Sequence, residues 1–531
     1  MQKRVFLTLI VILLLIVGLL PVLSMVAKSL TVDGHLSFSA YEGVLASSYQ
    51  WVLMGHSMVL SSIVTVLTVA VGVPLGILFG KTDFLLRRFF IFLFVIPLLI
   101  PPYISAVSWF DLLGTGGLLA PITSPRFTET VSRLLFGLPG CVLVLFSAFL
   151  SIPMVLTMVF LKSVNPRLEE AGRLVSGWRG VLKSITIPLI LPGILLSAML
   201  VFLLSFGEFG VPNFLRYDVF PVESFTQFSA FYNFKAATAA AVPLAVLTLA
   251  ILAVEFWFLR DRGTGLSLAH EAAKAQPVRL GRYRTLMLMW VSLLAFLLVV
   301  LPLIVLLIQS AGFESYGEAL NRAGDSLLRS ILYAAAGATV LTLLGFFTGY
   351  LIQTKAVCFW RSVDFMTIFL FALPGTVIGI GLVSLWNHQW ANFIYATPLI
   401  IILGYLARYT ALTSRISATY LAQIPSSMEE AAQIAGASWF RRMALIVAPL
   451  AKRSLFASWI VGYIFSLRDT GITMLVYPAG HDTLPVRIFT LMANGSPGLI
   501  AALCILMIAV TIVPAGILWM ISNPVSKKEA I

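Results

Sequence analysis

The sequence predicts an all-α integral membrane protein of twelve transmembrane helices, arranged as two parallel six-helix repeats. Three observations lead there. The 531 residues are 60% hydrophobic and only 11% charged, about half the charged fraction of a soluble domain, and the mean hydropathy is +0.99. The apolar runs are continuous and of bilayer-crossing length, not alternating as barrel strands would be. Residues also recur at fixed separations. Ser57, Gly72 and Gly76 match Ser330, Gly345 and Gly349 at an offset of 273. The string IFLF before Pro97 recurs before Pro374 at 277, and Trp109 matches Trp386 at the same offset. Pro188 matches Pro449 at 261, and Pro221-Val-x-x-Phe-Thr recurs from Pro485 at 264. The fall from 277 to about 261 implies that the second repeat has lost much of the outer loop 114–136.

In chain order, spans are expected near 5–27, 57–80, 89–112, 138–161, 188–212, 236–259, 285–309, 330–352, 365–387, 394–412, 454–476 and 497–521. The first follows Met1-Gln-Lys-Arg and is too long for the apolar region of a signal peptide. The charged stretch 260–284, with Gly263, Gly265 and Gly281, reads as a linker between a half at 1–259 and a half at 285–531. Six spans per half is an even number, so the halves lie parallel about an axis along the membrane normal, with a pathway expected where they meet. With the N-terminus inside, 26 of the 35 Lys and Arg fall on one side and 9 on the other. That positive-inside asymmetry places both termini, including Lys527 and Lys528, in the cytoplasm. It also explains the net charge of +13 as topology and excludes a nucleic-acid partner. Cys141, Cys358 and Cys504 stand singly, without ligand spacing, and read as small core residues.

Two polar interruptions organise the chain: Glu429 to Leu450, EEAAQIAGASWFRRMALIVAPL, and Glu169 to Leu189, EEAGRLVSGWRGVLKSITIPL. Each opens as a short helix with Pro166 or Pro425 near its start. Paired carboxylates, Glu169–Glu170 and Glu429–Glu430, sit in its first turns, where they oppose the helix dipole favourably. The small residues Ala171, Gly172, Ala431 and Ala432 suit close approach of another backbone, and Gly177 or Gly436 supplies a left-handed turn.

This pattern resembles the EAA loop of the inner-membrane permeases of binding-protein-dependent ABC importers. The second copy fits closely; the first has Gly172 in place of an alanine and runs 18 positions from Glu170 to Pro188, against 19 from Glu430 to Pro449. The resemblance implies a type I ABC importer permease fold with coupling loops at 163–187 and 413–448. It implies as partners two copies of a cytoplasmic ABC ATPase, which use ATP and Mg2+, and an extracytoplasmic solute-binding protein. The chain itself is then a multi-pass protein of the bacterial inner membrane, surrounded by lipid. It binds no cofactor and is not an enzyme. Fused double permeases of this kind are similar to the ferric iron group, with thiamine, phosphonate and polyamine carriers as alternatives. Ile100-Pro-Pro-Tyr-Ile104 and Phe209-Gly-Val-Pro212 look closest to the iron permeases.

Other motifs carry less. Gly76-Ile-Leu-Phe-Gly80-Lys81-Thr82 has three residues between its glycines where a phosphate loop needs four, and no strand precedes it. His270-Glu271-Ala-Ala-Lys274 lacks the second histidine of a zinc protease helix. Gly80-x-x-Asp83 with Arg87–Arg88 is similar to a loop of major-facilitator secondary transporters, the more distant alternative, but Phe84 and Leu86 replace its basic residue and glycine. Glu208 and Asp469 each lie 20 residues after a matched proline, flanked identically by Ser205 and Ser466 and by Gly210 and Gly471. Ionisable groups in spans are costly and often functional. These two acids either reach the outer headgroup zone or line the substrate pathway. No metal site is assigned.

Overall fold

Helices make up nearly all of the described chain, residues 2–32, 35–231, 233–260 and 277–522 of a computed structural model. Among these residues nine helices are long and apolar enough to cross a membrane, or up to twelve if each of three bent pairs is one span. The first nine are Gln2–Ser29, Ser48–Lys81, Leu138–Leu161, Pro166–Phe206, Phe234–Val254, Tyr283–Gln309, Phe313–Thr354, Leu399–Leu421 and Pro497–Ile517. The bent pairs are Arg87–Leu99 with Pro102–Leu113 (97°), Trp360–Ala372 with Gly375–Trp386 (107°), and Trp439–Leu450 with Lys452–Leu467 (77°).

Several expectations are corrected. Spans 89–112 and 365–387 turn through about a right angle, because Pro101 and Pro374 take extended ψ values of 130° and 139° and cap the second helix of each pair. A proline pushes the residue before it out of the helical region, and Ile100 and Leu373 comply with ψ of 156° and 140°. Both helices of the first pair recur in the second at an offset of 273, not 277. The IFLF and Trp109/Trp386 matches are therefore four residues out of register. A shift of about one helical turn preserves the helix face, which is how it imitates a repeat. The span expected at 394–412 is Leu399–Leu421, and Arg408 lies within this helix.

Four five-residue π-helical turns occur among the described residues: Leu15–Leu19, Leu182–Thr186, Phe296–Val300 and Met443–Val447. Each ends two residues before a proline, at Pro21, Pro188, Pro302 and Pro449. Proline lacks the N–H and its ring crowds the carbonyl one turn back, and a widened turn relieves both faults. The first and third turns match at an offset of 281, a correspondence the sequence strings do not reveal.

Packing sorts the chain into two compact units that cut across its linear order. One comprises Ser47–Val222 and Val246–Gln309. In it the Ser57 hydroxyl accepts a 2.9 Å bond from the Phe220 N–H, and Gly76 lies against the Met154 carbonyl and Thr157, where a Cβ would approach to 2.6 Å. Helix Tyr283–Gln309 packs here on Pro102–Leu113 and Arg87–Leu99. The other unit comprises Met1–Ala46, Glu223–Ala245 and Ser310–Ile531. The same devices recur: Ser330 accepts from the Leu484 N–H at 2.6 Å, and Gly349 lies against the Ser414 carbonyl and Ser417. Helix Gln2–Ser29 packs along Gly375–Trp386 and Phe313–Thr354. The division of the chain at 260–284 is thus not the division of its packing: each unit takes in the first span of the other half.

The glycine contacts fix the second offset at 260 (414 − 154 and 417 − 157). The second half is therefore 13 residues shorter (273 − 260) in the segment corresponding to 114–136, where the first half carries the helix Pro125–Leu135. Cys141 and Cys504 are buried as expected of core residues, whereas Cys358 is exposed. His270, Glu271, Lys274, Lys527 and Lys528 lie outside the described residues.

Candidate functional site

The first paired-acid loop is built on helix Pro166–Val181, started by the Asn165 side chain, which accepts from the Arg167 N–H at 3.0 Å. Glu169 turns inward and is 4% exposed. Its Oε2 meets the Lys81 ammonium at 2.5 Å and its Oε1 accepts from the Thr186 hydroxyl at 2.8 Å. Gly172 also faces inward, where a Cβ would come within 2.5 Å of Ile185. Its smallness serves the loop's own packing. Glu170 and Ala171 are exposed, and at the helix tip Leu174 and Val175 are 90% and 89% exposed. Gly177 then breaks the helix at φ +65°.

The second loop repeats the plan with different chemistry. Glu429 accepts two bonds from the Tyr350 hydroxyl, at 2.8 and 3.0 Å, and lies 3.7 Å from Arg442 Nε. The Trp439 indole N–H reaches the same hydroxyl at 3.5 Å. An aromatic cluster closes the site: the Phe6 ring lies 4.8 Å from Phe347, 5.4 Å from Trp439 and 5.5 Å from Phe440. Lys3 stands 4.8 Å over the Tyr350 ring. Glu430 and Ala431 are exposed and Ala432 is half-buried. Ile434, the counterpart of Leu174, is 89% exposed. Gly436 turns the chain at φ +81°, and the Ser438 hydroxyl, accepting from the Arg441 N–H, starts the next helix.

The one-residue difference between the loops now has a location. The first runs eight positions from Glu169 to Gly177 and eleven on to Pro188; the second runs seven and thirteen. An extra helical residue precedes the glycine in the first loop, and the Ala437–Ser438 connection is missing after it. In both copies the first acid anchors the loop and the second faces outward. The anchoring partners Lys81, Tyr350, Trp439 and Arg442 escaped the sequence reasoning. The usable signal was Lys81, a single charge closing the apolar helix Ser48–Lys81.

Glu208 and Asp469 do occupy matched places, but neither sits mid-helix. The helices end at Phe206 and Leu467 and resume as the short helices Gly210–Phe214 and Thr473–Val476. Glu208 Oε1 accepts from the Gly210 N–H at 3.0 Å. Asp469 is 3% exposed. Its Oδ1 accepts from the Ile472 and Thr473 N–H groups and the Thr473 hydroxyl, and its Oδ2 from Tyr409 at 2.6 Å and Arg408 at 3.3 Å. A carboxylate so engaged is a helix cap and not a headgroup-level acid, and it has little capacity left for a passing ion. Ser205 bonds back to the Val201 carbonyl of its own helix, and Ser466 is fully buried. Sequence reasoning passed over Asp111, 5% exposed on Pro102–Leu113, whose Oδ2 is buried and accepts no bond among the described residues. No group of three or more His, Cys, Asp or Glu suited to a metal ion occurs among the described residues.

The tempting glycines are accounted for. Gly76 and Gly80 pack inside a helix against Met154, Thr157 and Leu161. Asp83 Oδ1 accepts from the Leu280 N–H at 2.9 Å.

Residues 345–524, which include the second loop, match the family described as the binding-protein-dependent transport system inner membrane component. The chain is similar to the putative ferric transport system permease protein FbpB 1 of Haemophilus influenzae, 23% identical over 473 residues, covering 84% of this chain and 73% of the relative. It is also 23% identical to the ferric transport system permease protein FbpB of Actinobacillus pleuropneumoniae, over 83% of this chain and 66% of that one. The putative 2-aminoethylphosphonate transport system permease protein PhnV of Salmonella typhimurium is 26% identical over 42% of this chain, yet that stretch is 88% of PhnV. These relatives are named as transport permeases; the chain shares with them a domain of the binding-protein-dependent inner membrane component family at residues 345–524 and, over most of its length, a similarity to ferric permeases.

Proposed function

We propose that this chain forms the whole transmembrane pathway of an ATP-driven importer, its twelve spans folded as two parallel repeats with both termini in the cytoplasm. Two ATPase subunits, each using ATP and Mg2+, engage the two paired-acid loops, and a solute-binding protein delivers cargo on the opposite face. The carrying observation is the matched construction of the loops: an inward first acid, a glycine-terminated helix, and an almost wholly exposed aliphatic tip at Leu174–Val175 and at Ile434. Exposed aliphatic side chains at the end of an anchored helix suit a partner's groove. ATP-driven closure of the ATPase pair would move the loops as levers and shift the membrane helices between inward-open and outward-open packings.

The cargo we propose is ferric iron, on the strength of the similarity to ferric permeases over more than four fifths of this chain. Asp111 is the carboxylate best placed to meet a cation, and Glu208 is a second candidate. A phosphonate is the second reading, from the similarity to PhnV. The test is reconstitution with the ATPase and the binding protein. Leu174→Asp and Ile434→Asp together should release the ATPase while the permease stays folded, and retention of the ATPase would overturn the assignment. Uptake of radiolabelled ferric iron, unaffected by excess 2-aminoethylphosphonate, decides the cargo.

A further inference from the structure

The helix Ser48–Lys81 closes on itself only as far as Leu78, whose carbonyl accepts from the Thr82 N–H and hydroxyl. Like any helix it leaves carbonyls at its C-terminus without intrahelical donors. The corresponding helix Phe313–Thr354 solves this internally: Lys355 adopts φ +49°, and Lys355 and Ala356 donate back to Ile352 and Leu351, in the manner of a left-handed cap. In the first half the donor comes from the linker. The Val278 N–H donates to the Lys81 carbonyl at 2.8 Å, the Asp83 N–H donates to the Val278 carbonyl at 3.2 Å, and the two segments form a parallel bridge at Thr82 and Val278. The Asp83 carboxylate then accepts from the Leu280 N–H at 2.9 Å. Pro277 and Arg279 are exposed while Val278 and Leu280 are half-buried, the alternation of a short strand.

What this strand holds matters more than the strand. Lys81 is the residue whose ammonium binds Glu169, the inward anchor of the first paired-acid loop. The order of contacts is linker strand, Lys81 backbone, Lys81 side chain, Glu169, loop helix. Among the described residues the second loop has no such strand; its anchor, Tyr350, stands inside its own self-capped helix.

We propose that Val278–Leu280 is a positioning element of the first loop: by fixing Lys81, the linker sets how firmly that loop transmits force to the ATPase bound there. The inference rests on the reading of residues 163–187 as an ATPase-coupling loop. The residues that act are Val278 through its N–H and Asp83 through its carboxylate. The linker is then a part of the first coupling site, and the fused chain compensates in this way for its more divergent first loop.

The experiment uses the intact permease with its ATPase and binding protein in proteoliposomes, and reads ATP hydrolysed per solute imported together with the ATPase retained. Val278→Pro removes the donor to Lys81. Asp83→Ala removes the acceptor for Leu280, and Asp83→Asn keeps an acceptor oxygen. The first two variants should raise ATP consumed per solute about fivefold, the effect of one lost hydrogen bond, and Asp83→Asn should restore the ratio. A ratio at the wild-type value in both Val278→Pro and Asp83→Ala overturns the proposal. Leu174→Asp separates the two failures. If it leaves ATPase retention and coupling unchanged, the coupling-loop reading falls. If it strips ATPase while the linker variants behave as wild type, only the linker proposal falls.

Discussion

Replacing Glu169 by alanine tests the anchoring of the first loop most directly. In the native pair the side chains are 14% and 5% exposed, for Lys81 and Glu169, with nitrogen and oxygen 2.5 Å apart. Removing one member of a buried pair costs about 3–5 kcal/mol, because the other charge is left without its counterion. Lys81 lies at a helix end and keeps some access to water, so about 2–3 kcal/mol is the better figure, with the loss of the Thr186 bond included. If the loop helix opens locally, a loss of that size should speed amide exchange in Pro166–Val181 about 30- to 150-fold, at about 1.4 kcal/mol per factor of ten. The assay is hydrogen exchange read by mass spectrometry on purified permease. Lys81→Met with Glu169→Gln strands no charge, so exchange in the double variant should return most of the way to wild type. If the two single effects simply multiplied in the double variant, or if exchange at 166–181 never changed, the pair would not be what holds the loop.

Three further outcomes are expected. Gly436→Ala forces an alanine to φ +81° at about 1–2 kcal/mol, and the affinity for the ATPase, measured by titration, should fall about tenfold; unchanged affinity would mean the turn relaxes without cost. Asp469→Ala removes five bonds at once and should lower the yield of monodisperse permease in detergent, whereas Asp111→Asn should keep the yield and cut ferric uptake several-fold; the reverse pattern would return Asp469 to the pathway. Cysteines at the exposed Ser176 and Ser438 should be labelled only from the cytoplasm and one at the exposed Ser229 only from outside. Opposite labelling would reverse the proposed orientation.

Hydropathy located the apolar helices but not their ends, as with Pro166–Phe206 against 188–212 and Phe313–Thr354 against 330–352, since the lipid phase imposes length and apolarity alone. It is blind to direction, and so the turns at Pro101 and Pro374 looked like the middles of straight helices. The repeat was legible where one side chain ties two segments together, as Ser57 and Ser330 do, and misleading where a four-residue slip keeps the helix face, as in the IFLF strings. The paired acids were visible as a pair, but adjacent residues on a helix point in different directions, and nothing in the spacing says which of the two faces inward. That choice depends on Lys81 and Tyr350, 88 and 79 positions away in the chain. Arg408 and Asp469 show the same limit: each looks costly alone, and only folding brings them to 3.3 Å.

The exchanged first spans set a timetable for synthesis. Helix Gln2–Ser29 is made well before its packing partners, since 284 positions separate Ser29 from Phe313. At about 5–20 residues per second that interval lasts about 15–60 s. During it the helix has only lipid and newly inserted neighbours for company, and the face it will later bury, at Leu7, Val11, Leu14 and Met25, is apolar enough to wait there without cost. Helix Tyr283–Gln309 faces no such delay, because Arg87–Leu99 and Pro102–Leu113 are already in the membrane when it emerges. The unit containing Ser47–Val222 can therefore finish first, and the one containing the chain's earliest helix finishes last.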